Sequence, residues 1–370
     1  MKKIYCPEEI DFVSGECSNS FESLLSFCCE KVKKITNPYV GNKRKILFNI
    51  VKTIEDEGIK YDSILDLFGG SACVSMVMKM LGKRVIYNDL LKSSYYYGLS
   101  FIENNQYYLN KKEIEYLLNE SDNIGLFVEK NYLDRFTINE ARFLDSYREN
   151  VLYLKELYED KDLWDIKTQQ IKEALAFSSL QLYVMDKCFV GGRLNRGQIL
   201  AEMKHRISHK RNNGSEMSFK NIKYKTFIVK DNAKENKAYN MDALDLLSNK
   251  NIDTDVDLAY IDPPYGNEMS DYCDMYSFFE NYLNNRVVVL SDKDKFSKSK
   301  GYEKNFVELL RSLEHIPVWV ISYNDSSWSG IKEIKNIIYN FRKNVKEKEM
   351  VYNYKYRKIG NGKEYLIIAK

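Results

Sequence analysis

The sequence predicts an α/β fold in two parts: a mostly parallel sheet ending in an antiparallel hairpin, and an inserted, mainly helical region. Three observations predict it. Strand, glycine turn, helix and second strand follow one another between residues 63 and 89, the βαβ spacing of a parallel sheet. From about 93 to 235 tyrosine, asparagine and charged residues interleave over long helical stretches. After about 236, short buried-strand patterns resume.

In chain order, residues 42–58 (NKRKILFNIVKTIEDEG) predict a helix with apolar positions 46, 47, 50, 51 and 54, stopped at Gly58. SILDLF (63–68) reads as a strand, GGSA as a tight turn, CVSMVMKML (73–81) as a helix and RVIYND (84–89) as the second strand. Within the insert, TINEARFLDSYREN opens on a capping box formed by Thr137 and Glu140. FVGGRLNRGQILAEMKHRISHKRNNGS (189–215) reads as a loop. VDLAYID (256–262) and PVWVISYN (317–324) read as buried strands, and VYNYKYR (351–357) with EYLIIAK (364–370) as the terminal hairpin. The expected division is 1–92 and 236–370 as two parts of one sheet domain, with 93–235 inserted between them.

At 370 residues with 44% hydrophobic and 14% aromatic content, the chain can bury a large core. A net charge of +3, from 56 Lys and Arg against 53 Asp and Glu, excludes a surface coated with polyanion-binding charge, though not a local patch. That patch exists: residues 186–235 hold 12 Lys/Arg and 5 Asp/Glu. The start, MKKIYCPEEIDF, lacks the apolar run of a signal peptide, and no run of apolar residues is long enough to span a membrane. Seven cysteines without a C-x-x-C pair read as reduced thiols in a cytoplasmic protein. His205 and His209 stand four apart in a basic run without an acid between them, a poor metal pair, so no metal is expected.

Two segments carry chemistry. In the turn Asp66-Leu67-Phe68-Gly69-Gly70-Ser71-Ala72, small residues let backbone approach a ligand. Asp89 ends the second strand, where a βαβ fold binds the two hydroxyls of an adenosine ribose. G-x-G-x-x-G is missing, and Asp66 beside the turn would repel a pyrophosphate while suiting an amino group. That sign favours S-adenosylmethionine over NAD. The second segment is Asp262-Pro263-Pro264-Tyr265, directly after a strand. Two prolines stiffen it and remove two backbone donors. The Asp262 carboxylate and the Pro263 carbonyl can accept both hydrogens of an exocyclic amino group, and Tyr265 can stack on its ring.

With these residues in place, the chain resembles the DNA adenine-N6 methyltransferases of the Dam-type (alpha) motif order, with a Rossmann-like sheet and an inserted recognition domain. PYVGNKRKIL (38–47) looks like their N-terminal motif, ILDLFGGSACV (64–74) the cofactor motif, YND (87–89) the acidic strand end, and YNMDALDLL (239–247) the segment that meets the cofactor's purine. VWVISYND (318–325) and EYLIIAK match later strands, and GGRLNRGQILA (191–201) resembles a segment common in these enzymes. Ala72 departs from the pattern, which often has glycine there. By position, the resemblance implies that Tyr39, Lys43, Asp66, Phe68, Gly70, Asp89, Asp242 and Asp262 hold S-adenosylmethionine, and that Asp262, Pro263 and Tyr265 act on the target. Simpler readings stand beside these: Lys43 as a solvated helix start, and Asp242 as the N-cap of ALDLL.

The implied reaction moves a methyl group to N6 of an adenine flipped out of double-stranded DNA. Without a Pro-Cys in the chain, the cytosine-C5 route is excluded; cytosine-N4 stays open to the same amino trap. Arg193, Asn195, Arg196 and Gln198, among Gly191, Gly192 and Gly197, are residue types that read guanine and adenine edges; a solvated basic loop is the alternative. An RNA methyltransferase with the same trap and a catalytically inert DNA-binding protein are the competing functions. The resemblance also implies a restriction-modification setting, a cognate endonuclease as a candidate partner, and a monomer.

Overall fold

The computed structural model describes residues 20–36, 43–120, 125–158, 164–190, 193–194, 217–224, 231–264, 276–289, 295–296, 300–324, 327–350 and 363–370. Helices α1 (Phe21–Ile35) and α2 (Leu47–Asp56) precede β1 (Ser63–Asp66), α3 (Cys73–Met80) and β2 (Arg84–Asn88). α4 (Lys92–Tyr97) runs into a π-helical turn, Gly98–Glu103, followed by α5 (Lys111–Leu117), α6 (Phe127–Asn131), α7 (Ile138–Leu152) and α8 (Ile166–Cys188). Strands β3 (Phe189–Val190) and β4 (Arg193–Leu194) form a two-residue antiparallel ladder. Then come β5 (Lys237–Tyr239), α9 (Ala243–Ser248), β6 (Leu258–Ile261), α10 (Ser277–Asn284), α11 (Tyr302–Ser312), β7 (Val318–Asn324), α12 (Ile331–Tyr339), β8 (Val345–Met350) and β9 (Glu364–Ala369).

The main sheet has seven strands in the order β5-β2-β1-β6-β7-β9-β8. The first five run parallel, while β9 is antiparallel to both β7 and β8. Alternate side chains serve two cores, as the period of two requires. Ile64, Val85, Tyr87, Leu258, Tyr260, Val320, Leu366 and Ile368 face one apolar cluster together with α1–α3 and the helical region. Leu65, Ile86, Ala259, Ile261, Trp319, Ile321 and Ile367 face a second cluster with α9, α11 and α12. Burial on both faces explains why the central strands read as continuous apolar runs.

Several elements differ from the sequence reading. The helix expected from residue 42 begins at Leu47, because residues 43–46 form a turn closed by Ile46 N–H donating to the Lys43 carbonyl at 2.9 Å. The partner of the last strand is Val345–Met350, upstream of the expected VYNYKYR, which lies outside the described residues. Its sequence, VKEKEM, hides it: an edge strand needs few apolar residues, and charges along an edge discourage pairing with other chains. The three-residue β5 also escaped the sequence pattern, as did the β3–β4 ladder, which lies inside the segment 189–215 expected to be a loop; strands of two or three residues are too short to show a period of two.

The helical region is one packed body with the sheet. The capping box is formed, with Thr137 Oγ1 accepting from Glu140 N–H at 3.2 Å and Glu140 Oε2 from Thr137 N–H at 2.9 Å. α10 follows the Asp262–Pro264 strand end in sequence yet packs into this region. Its Tyr282 hydroxyl donates to the Leu144 carbonyl at 2.6 Å, and Glu280 accepts from Lys92 and Ser93 N–H at the start of α4. Tyr96 and Tyr97 are buried in the same core.

Candidate active site

The chain leaves β1 outward to β2 and β5, then returns to place β6 on the other side of β1. A crevice forms at the carboxyl ends of strands where the order reverses in this way, and α/β sheets bind ligands there. Asp66 ends β1, Asp89 follows β2 and Asp262 follows β6, so three carboxylates of the sequence reading gather at this edge.

The glycine turn is shaped by close approach. A Cβ on Gly69 would lie 2.0 Å from the Tyr87 ring, so only glycine fits. The Tyr87 hydroxyl lies 2.8 Å from the Gly70 carbonyl and 2.9 Å from the Ser94 carbonyl, and its single proton is donated to one or shared between the two. Ala72 caps α3 with φ at 57°, in the left-handed region. This accounts for the glycine usual at that position: an L-residue there costs roughly 1–2 kcal/mol, and alanine, the smallest, is accommodated fully buried.

Asp66 is buried. Its Oδ2 accepts from Ser75 Oγ at 2.6 Å, while Oδ1 has no partner among the described residues. Burial, reinforced by the charges of Asp262 and Asp89, pushes its carboxyl up to about 7. An uncompensated buried carboxylate oxygen is what an incoming ammonium would satisfy, so the residues fit the amino group of S-adenosylmethionine. Because the folded value lies above the ordinary 3.8, the neutral acid stabilises the cofactor-free protein fully below pH 4 and that stabilisation is lost as pH rises through about 7. Between pH 5 and pH 8 the wild type should therefore lose stability relative to Asp66→Asn, by up to a few kcal/mol in denaturant unfolding. Parallel curves for the two proteins would show that Asp66 does not titrate in this range.

Asp89 accepts from Gly70 N–H through Oδ2 and from Leu91 N–H through Oδ1, both at 2.8 Å. It thus ties the acidic strand end to the glycine turn, a structural task the sequence did not reveal. A carboxylate has about four acceptor sites, so hydroxyl donors can still be received. Asp242 is the N-cap of α9, accepting from Leu244 and Asp245 N–H through Oδ1, and Lys295 Nζ lies 2.9 Å from the same atom. The N-cap reading is the one seen in its contacts. Phe68 meets Phe296 edge-on at 5.2 Å.

Lys43 is not solvated. It is buried, with Nζ 2.8 Å from Asp262 Oδ1 and 2.9 Å from Glu364 Oε1. Glu364, Lys295, Tyr87, Ser75 and Phe296 were missed by sequence reasoning. Tyr39, Tyr265, Asn195, Arg196 and Gln198 lie outside the described residues, as do His205 and His209. Arg193 is described only as backbone, paired with Val190 in the β3–β4 ladder. Among the described residues there is no cluster of three or more potential metal ligands, and no helix is long and apolar enough to cross a membrane.

A mostly parallel seven-stranded sheet with a reversed last strand, carrying acids at its carboxyl edge and Asp-Pro-Pro after β6, defines an S-adenosylmethionine-dependent methyltransferase of amino groups. The chain belongs to the D12 class N6 adenine-specific DNA methyltransferases, a family matched over residues 39–324. It is similar to the type II methyltransferase M2.HphI of Haemophilus parahaemolyticus, 26% identical over 325 residues that cover 86% of this chain and 91% of that one. It is also similar to the modification methylase StsI of Streptococcus sanguinis, 25% identical over 334 residues that cover 82% of this chain but 46% of that protein. The RNA-directed and inert alternatives give way to DNA adenine methylation.

Proposed function

We propose that Asp262 and the Pro263 carbonyl hold the amino group of an adenine flipped out of duplex DNA, with Tyr265 stacked on its ring. The observation that carries this reading is the position of Asp262: it stands at the switch-point edge, with the unpartnered Asp66 oxygen at the end of the neighbouring strand. The bound cofactor supplies the methyl group. The protein's part is positioning and electrostatics. Two acceptors on the amino hydrogens localise the nitrogen lone pair, which is otherwise delocalised into the ring. As N6 bonds to the methyl carbon, the carbon–sulfur bond breaks and one amino proton leaves.

For the cofactor, Asp66 would receive the ammonium group and Asp89 the ribose hydroxyls. Gly70 and Phe68 would line the turn, Tyr39 and Asp242 would complete the pocket, and Lys43 would act behind Asp262, to which it is paired, without lining the pocket itself. Saturating S-adenosylmethionine should then remove the pH-dependent stability loss assigned to Asp66. Arg193, Asn195, Arg196 and Gln198 would form the DNA-reading group; what supports this is their residue types and their place in the basic stretch between 186 and 235. A restriction-modification setting with a cognate endonuclease fits the two relatives, which are named as a type II methyltransferase and a modification methylase. A monomer suffices for this chemistry, and a cytoplasmic location follows from a DNA substrate.

The test is tritium transfer from labelled S-adenosylmethionine to duplex DNA and to RNA, followed by nucleoside chromatography. Label in N6-methyl-2′-deoxyadenosine from duplex DNA is expected; label in N4-methyl-2′-deoxycytidine or only in RNA would overturn the proposal. On the same substrates, Arg193→Ala or Arg196→Ala should relax preference at one base position, at a cost of about 1–3 kcal/mol, if the guanidinium reads a guanine edge. Uniform weakening with a salt slope lower by about one unit would mark a phosphate contact instead. If rates, preference and salt slope all stay put, the loop is not at the DNA interface.

A further inference from the structure

Glu364 opens β9, the one strand of the main sheet that runs against β7 and β8. Because β9 is reversed, its first residue sits beside Asn324, the last residue of β7, at the carboxyl edge that carries Asp262. Glu364 is buried there with three described donors around it: Lys43 Nζ at 2.9 Å, Ser322 Oγ at 3.1 Å and Asn324 Nδ2 at 3.1 Å. Lys43 in turn reaches Asp262 at 2.8 Å. A continuous chain of contacts therefore runs from β7 through Glu364 and Lys43 to Asp262.

Stability alone does not explain this arrangement. Taking carboxylates and an ammonium out of water is costly, and apolar side chains of similar volume usually serve a core as well or better. Lys43 and Glu364 keep only 5% and 3% of their side-chain surface exposed, against 15% for Asp262. The two inner charges are thus shut away, and the outer carboxylate is the one with access to the crevice. A lysine ammonium is a point charge on a flexible stem. Anchored by one fixed carboxylate, it presents its remaining donors to the other from a fixed place.

We propose that Glu364 is a positioning residue for methyl transfer: acting through Lys43, it sets the orientation of the Asp262 carboxylate toward the target amino group. This rests on the reading of Asp262 given above. Glu364 lies beyond residue 324, where the family match ends, and the link is made by the reversed strand.

The experiment is a kinetic cycle on the full chain with duplex DNA and S-adenosylmethionine. Glu364→Gln keeps the shape but not the charge. It should lower kcat tenfold or more, with KM for both substrates within about threefold and a melting temperature near that of the wild type. Glu364→Asp, which keeps the charge, should turn over faster than Glu364→Gln. Lys43→Met/Glu364→Gln should be no slower than Lys43→Met alone, since two residues acting in series do not add. A Glu364→Gln enzyme within twofold of wild-type kcat, an Asp variant no faster than the Gln variant, or additive losses in the double variant would each overturn the inference while Asp262→Ala remains inactive. If Asp262→Ala is itself active, the role of Asp262 fails and this inference fails with it.

Discussion

Asp262→Ala is expected to lower kcat at least about a hundredfold, since removing one positioned group that stabilises the transition state typically costs about 10²–10³ in kcat. In free energy, a hundredfold is about 2.7 kcal/mol. The fold should survive. Lys43 loses one carboxylate but keeps Glu364, so no ammonium is left buried without a counter-charge, the situation that costs about 3–5 kcal/mol when an isolated pair is broken. Circular dichroism and a melting curve check the fold. Binding of a duplex should persist in a filter or anisotropy assay, because phosphate contacts are assigned to the basic insert. A variant that retains more than about a tenth of wild-type turnover would remove Asp262 from the reaction.

Asp89→Ala should weaken S-adenosylmethionine binding by roughly 1.5–3 kcal/mol, the worth of hydrogen bonds to a charged group, or about 10–150-fold in Kd. Calorimetry measures it. The contacts of Asp89 with Gly70 and Leu91 N–H add a second effect, since its removal also frees two amides of the cofactor turn. The two effects separate cleanly. Loss of the turn clamp lowers the melting temperature of the cofactor-free protein, whereas loss of the ribose contact raises Kd. A lower melting temperature with unchanged affinity would make Asp89 a turn clamp only, and the ribose would have to be held elsewhere.

The acids at the crevice were legible one by one because each sits at a strand end marked by local signals. Asp66 precedes small turn residues, Asp89 closes an apolar run, and Asp262 precedes two prolines. Their partners were not legible in the same way. Lys43 is a cofactor-site residue by resemblance, with a solvated helix start as the alternative because its neighbours Arg44 and Lys45 are basic; it is buried between two carboxylates, which neither reading contains. Asp242 carried two readings, and its contacts to Leu244, Asp245 and Lys295 show the N-cap. The edge strand Val345–Met350 was read too far downstream, since a half-solvated strand of alternating lysine and glutamate lacks the apolar pattern that marks the central ones.

The strand–turn–helix order, the continuous apolar runs of β1, β2, β6 and β7, the capping box of α7 and the Asp-Pro-Pro corner are all written in the chain itself. These depend on neighbours within a few residues, where turn chemistry and side-chain periodicity act. Three features appear only once the chain is folded: β6 returns beside β1, α10 packs among the inserted helices, and the reversed β9 brings Glu364 to Lys43 and Asp262. The physical reason is that strand order is fixed by burying both sheet faces, and hydrophobic burial is non-directional. Apolar residues in the chain mark that a strand is buried, but not which strand lies next to it.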